Sequence, residues 1–217
     1  MPVSKEDLIK AVKELRDGSG KRKFEQGVDI SITIKGIDVK KPEGKVTEDI
    51  VLPHGAGEPK RILVFADGEM ARVARDAGAD GIIGRAEIES LQGNKKKIKS
   101  IMKNYDFTVA QADLMVLIGK VFGPVLGPRG KMPKPIPQNA NPAPVMERFR
   151  KTIRLANKAQ LAFHGRIGKE SMTDDQIAEN TRAVLDAIEK KVSDSGGQIR
   201  SVSLKTTMGK PAKVKVG

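Results

Sequence analysis

The chain has 217 residues with 40 Lys plus Arg against 27 Asp plus Glu, a formal charge of +13; such a surplus suits a polyanionic partner, because clustered cations displace counterions from phosphates. It has no cysteine and only His54 and His164 as histidines, which excludes a disulfide scaffold, a thiolate zinc site and a cysteine nucleophile, and disfavours an imidazole-rich metal centre. Six Phe, one Tyr and no Trp are too few for a platform of base-stacking rings.

Residues 4–17 read as a helix, with Ser4 and Asp7 as its cap and Leu8, Ile9, Val12 and Leu15 on one face. Gly18 and Gly20 stop it. A basic run, Lys21, Arg22 and Lys23, then leads to Phe24. VDISITIK (28–35) alternates apolar and polar residues, the mark of a half-buried strand. The segment 36–49 is charged, DIVLP (49–53) is a short strand and HGAGEP a loop.

The pattern changes near residue 61. RILVF (61–65) is a continuous apolar run, as in a strand covered on both faces. A helix is expected around 68–77, a strand within 78–84, helices at 85–91 and 95–104, and a strand at 106–110. ADLMVLIGKVFG (112–123) is a buried helix or strand. Residues 123–144 hold seven of the twelve prolines and read as an extended connection. VMERFRKTIRLAN (145–157) reads as one helix.

Alternation returns in QLAFHGRIG (160–168), with His164 and Arg166 on the polar side. Thr173 and Gln176 form a capping box for a helix to about 191. RSVSLKTTMG (200–209) places Val202 and Leu204 inward and Ser201, Ser203, Lys205 and Thr207 outward; AKVKV (212–216) is a last strand. The two flanks share one grammar and the centre has another. The organisation expected is one domain from 1–66 and 158–217, with a second α/β domain, 67–157, inserted. No apolar run reaches the ~18 residues of a membrane span, and the N-terminus lacks a signal-peptide core. A cytoplasmic protein without a membrane partner is expected.

GPVLGPRGKM (123–132) has the look of a phosphate loop but lacks its Ser or Thr after Lys131, and Pro124 and Pro128 remove backbone donors. HGAG lacks the third glycine of a dinucleotide fingerprint. His164 has no Asp, Ser or Cys partner fixed by spacing. No cofactor or metal is expected. Three segments point to RNA instead: KRKF (21–24), GRIGKES (165–171) with Arg166, Lys169 and Ser171, and KTTMGK (205–210). Paired on one sheet, they would make a face of hydroxyls, cations, glycine and Met, suited to 2′-hydroxyls, phosphates and a shallow RNA minor groove. Thr207 is expected to offer its hydroxyl to RNA. Met208 has core parity, but Gly209 after it lets the backbone turn and release the thioether, and Gly209 itself permits close approach.

LPHGAG, GKVFGPVLGPRGKMPKP and TTMGKPAKV together resemble the large-subunit ribosomal protein L-one family, and its short archaeal members in particular. The resemblance covers nearly the whole chain. It implies an α/β protein: a discontinuous domain of split β-α-β type and an inserted Rossmann-like domain. It implies a non-enzymatic, monomeric free protein that joins the large ribosomal subunit, binds large-subunit rRNA at the mobile stalk near the exit-site tRNA, and represses its own mRNA. The family's RNA contacts fall here on Lys23, Phe24, Gln26, His164, Gly165, Gly168, Lys169, Ser171, Ser201, Ser203, Thr206, Thr207, Met208 and Gly209. Two other readings stay open at this point: an RNA-binding regulator acting mainly off the ribosome, and an enzyme holding a nucleotide or sugar phosphate on the inserted layer.

Overall fold

The computed structural model describes residues 4–20, 22–38, 44–137, 140–157 and 160–214. Lys21 of the basic run, parts of the expected segments 36–49 and 123–144, residues 158–159 at the expected domain border and 215–216 of the last expected strand lie outside them.

The chain divides into two compact units, residues 1–59 with 151–217, and residues 60–150. The first is built on helix α1 (Lys5–Asp17) and strand β1 (Gly27–Lys35) from the N-terminal part, and on β8 (Ala162–Lys169), α8 (Asp174–Asp194), β9 (Gln198–Thr206) and β10 (Ala212–Val214) from the C-terminal part. Ser4 caps α1 by accepting from the Asp7 amide, and Thr173 and Gln176 close a reciprocal capping box on α8. The sheet order is β10-β9-β1-β8, with β1 antiparallel to both neighbours. β8 and β9 therefore run parallel, joined through α8 with β1 between them, which is a split β-α-β unit.

Alternation decides the two faces of this sheet. Ile30, Ile32, Ile34, Phe163, Val202 and Leu204 are buried against Leu8, Val12 and Leu15 of α1 and Val184, Leu185 and Ile188 of α8. A ribbon of β2 (Thr47–Val51) and β7 (Thr152–Ala156) adds Ile50, Ile153 and Leu155 to the same core.

The second unit is a parallel sheet in the order β4 (Gly81–Ile83), β3 (Ile62–Phe65), β5 (Phe107–Gln111), β6 (Lys134–Ile136). Leu63, Phe65 and Ala110 enter one apolar cluster with Ile88 of α3 (Arg85–Ser90), Ile98 and Met102 of α4 (Lys95–Lys103), Ile118 of α5 (Met115–Val121) and Leu126 of α6 (Gly123–Leu126). Ile62, Val64 and Val109 enter another with Met70 and Ala74 of α2 (Gly68–Asp76) and Met146 and Phe149 of α7 (Pro142–Arg150). Helices thus cover both faces, which is why β3 reads as an unbroken apolar run.

Three expectations are corrected. The expected helix 145–157 ends at Arg150, and Thr152–Ala156 forms β7, where β-branched Thr152 and Ile153 suit a strand pairing with β2. The Pro-rich stretch is not extended throughout. Pro124 sits in the first turn of α6 and Pro142 starts α7, positions where a missing amide loses no helical bond. Finally, the units divide near residues 60 and 150 rather than at 66/67 and 157/158: β3 belongs to the second unit's sheet and β7 to the first unit's ribbon.

Candidate nucleic-acid interface

The face of the β10-β9-β1-β8 sheet turned away from α1 and α8 is polar. Its rungs follow from the register. Lys205, Asp29 and Arg166 lie abreast; Lys213, Ser203, Ser31 and His164 form the next rung; Ser201, Thr33 and Ala162 the third. His164, Arg166, Ser201 and Lys205 are exposed and Ser203 is half-buried. Asp29 stands 3.6 Å from Arg166 Nε and lies opposite Lys205, so one carboxylate divides two cations. A Cβ on Gly27 would meet Arg166 Nε at 2.6 Å, so glycine there makes room for the guanidinium.

Three distant segments meet at one end of this sheet. Gln26 ties them together. Its carbonyl accepts from the Glu170 amide, its side-chain Oε1 accepts from the Met208 amide at 3.1 Å, and its Nε2 donates to Ser19 Oγ at 3.0 Å. Thr207 completes the join: its amide donates to the Gly27 carbonyl, and its hydroxyl accepts from the Gly27 amide at 3.1 Å. Phe24 on one side of Gln26 and Met208 on the other are 52% and 60% exposed. Two apolar side chains left in water at the end of a cationic face are what an RNA surface can cover. Lys23 beside Phe24 is also exposed.

Lys169 and Ser171 lie on the third segment. The Lys169 ammonium is 3.0 Å from Glu25 and 3.3 Å from Glu58, and Ser171 Oγ donates to Glu25. The Ser171 hydrogen bond, then Lys169, hold the Glu25 carboxyl below its ordinary pKa, while Glu25 and then Glu58 raise the Lys169 ammonium. The Lys169 stem packs on Gly57, where a Cβ would meet Cγ at 2.6 Å and φ is +85°. That loop is fixed by Asn180 of α8. Its side-chain Oδ1 accepts from the His54 amide, and its Nδ2 donates to the carbonyls of Gly55 and Ile167. His54 Nε2 also reaches Glu179 at 2.7 Å, which lowers the Glu179 carboxyl. HGAG thus seats Lys169.

Several expected contact residues are buried or packed inward in the free protein. Gln26 is fully buried and its amide group is spent on the internal bonds above. Thr206 is buried, with a hydroxyl that has no hydrogen-bond partner among the described residues, and a Cβ on Gly209 would strike it at 2.1 Å. Thr206 thus gives a packing reason for glycine at 209. Gly165 makes room for Leu155 and Gly168 for Met172. Thr207 is exposed, but its hydroxyl is engaged with Gly27 instead of being free. Conversely, Glu25, Glu58, Asp29 and Asn180 shape the site and were not singled out from sequence. Glu25 alone carried a signal, standing between Phe24 and Gln26.

The profile of the Ribosomal protein L1p/L10e family matches residues 5–210. The chain belongs to that family. The chain is 43% identical over 209 residues to the large ribosomal subunit protein uL1 of Methanothermobacter thermautotrophicus, covering 96% of this chain and 99% of that protein. It is 43% identical over 213 residues to uL1 of Methanocaldococcus jannaschii, covering 98% and 97%. It is also 42% identical over 212 residues to uL1 of Methanothermococcus thermolithotrophicus, covering 98% and 99%. All three are archaeal proteins. The family is one of structural, non-enzymatic proteins, so the enzyme reading of the inserted layer gives way.

Proposed function

We propose that the protein is a structural constituent of the large ribosomal subunit in the cytoplasm. It binds large-subunit rRNA at the mobile stalk with the polar sheet face and the adjoining end where Phe24, Lys169 and Met208 converge. The same surface binds an element of its own mRNA that copies the rRNA site, which makes the protein a translational repressor, and on the ribosome the stalk meets exit-site tRNA. The observation that carries this reading is the ladder of hydroxyls and cations on the face of the β10-β9-β1-β8 sheet turned away from α1 and α8. Its groups match riboses and phosphates in a shallow groove, and it has no row of rings to stack bases.

The test uses a folded large-subunit rRNA fragment across a KCl series. Log affinity should fall linearly with log salt, by about 0.7 to 0.9 for each phosphate neutralised. Met208→Ala should weaken binding by about tenfold without lowering the melting temperature, because the side chain is in solvent in the free protein. Lys205→Ala should flatten the slope by about one contact. A flat salt response, or undiminished binding by both variants, overturns the reading.

A further inference from the structure

The second unit carries 16 basic and 9 acidic residues between positions 60 and 150, and five of the basic ones are in α4: Lys95, Lys96, Lys97, Lys99 and Lys103. All five are exposed, and none has an ion pair among the described residues. No Asp or Glu occurs between Glu89 and Asp106, and Glu89 is taken by Arg85 at 3.2 Å. Three of these lysines fill the first turn, directly after the Asn94 cap. There the helix dipole favours anions, so this cluster works against the helix that carries it. Lysines spread for solubility alone would mix with acids or sit at the C-terminal end.

The arrangement is ordered. Lys95, Lys99 and Lys103 recur every four residues, about 6 Å apart along the axis and on one side. The adjoining side, Ile98 and Met102, is fully buried in the unit's core. Just past α4, the Tyr105 carbonyl accepts from Lys131 Nζ, which brings the loop with exposed Arg129 beside the helix end.

We infer that α4 is a second, sequence-independent binding surface for the phosphate backbone of RNA, separate from the sheet face of the first unit. A row of point charges at that spacing can follow successive phosphates, and it has no hydrogen-bond fork or ring with which to read bases. A membrane surface fits less well, because the helix has no free apolar side to insert: Ile98 and Met102 are already used.

The experiment compares the full chain with K95Q/K99Q/K103Q and with a control of equal charge loss, K10Q/K13Q/K190Q, on α1 and α8. The first probe is a short generic RNA duplex, titrated over a KCl series. The α4 variant should lose about tenfold or more at low salt, and its slope should flatten by about 2, near 0.7 to 0.9 for each lysine removed. The control should stay close to the parent. The α4 variant's melting temperature should be equal or higher, since like charges and an unfavourable dipole contact are removed. On the folded rRNA fragment, Met208→Ala should cost the same factor in the α4 variant as in the parent chain, so a failure of the sheet-face reading and a failure of this one are separate results. Unchanged duplex affinity in the α4 variant overturns the inference, as does equal loss in the control. Loss of binding only to vesicles containing anionic lipid, with RNA binding intact, overturns it too.

Discussion

Lys169 sits between two carboxylates, Glu25 at 3.0 Å and Glu58 at 3.3 Å. In the free protein these acids hold the ammonium at the end of the sheet. In the proposed RNA complex they would compete with phosphate for it. Glu58 is on the loop held by Asn180, and its removal leaves Glu25 and Ser171 in place to position Lys169. Glu58→Gln should therefore raise affinity for the rRNA fragment by about twofold to fivefold, the range of one exposed charge pair. The gain should shrink at high salt. A loss of affinity would mean that Glu58 is needed to aim Lys169. The acid dependence has a definite sign. Glu25 is held below its ordinary value in the fold, so its contribution to stability is present above pH 4.5 and is lost as pH falls through its lowered pKa. Thr207 shows how a residue's face and its role can part. Its outward parity was legible, but the Gly27 bonds that occupy its hydroxyl come from a strand 180 residues away.

At the scale of elements, periodicity was legible wherever burial imposed it. β1, β9, α1 and α8 stand within a few residues of their sequence ranges, because each has one apolar face and a cap or glycine at its end. β7 was hidden, since Arg148, Arg150 and the apolar residues around them continue a helical spacing until Lys151. Only pairing with β2 distinguishes the strand. Likewise the interior role of Gln26 depends on neighbours brought by the fold, whereas the period-two spacing put Thr206 with Leu204 and Gly165 with Phe163 on the inward side and hid only what they pack against. Asn180 is the strongest such case. It is fully buried in mid-helix, and its side chain makes two hydrogen bonds to the 54–57 loop and a third to the Ile167 carbonyl of β8. Asn180→Ala deletes all three of these bonds. It should cost on the order of 2–4 kcal/mol of stability, measured as a lower urea midpoint. It should also weaken rRNA binding at temperatures where the variant is still folded, because Gly57 no longer seats Lys169. A urea midpoint equal to the parent's would show that the loop is held by other contacts.

For the molecule as a whole, the chain leaves and re-enters the first unit through neighbouring strands. Val51 of β2 pairs with Thr152 of β7, and the Leu52 amide donates to the Lys151 carbonyl at 3.0 Å. The two ends of the first unit are therefore close, and closing them with a short Gly/Ser linker adds little loop entropy. That unit has its own core, from Leu8 to Val214, without a residue from 60–150. Replacing residues 60–150 by such a linker should leave a protein that unfolds in one cooperative step. It should keep the Met208 and Lys205 dependence of rRNA binding, since every group on the polar sheet face lies outside the excised segment. Its affinity for a generic RNA duplex should fall together with the salt slope, because α4 is gone. Calorimetry and the two RNA titrations measure these separately. A product without a cooperative transition would mean that the first unit needs the second to fold. A folded product that has lost rRNA binding would move the recognition surface off the sheet and into residues 60–150.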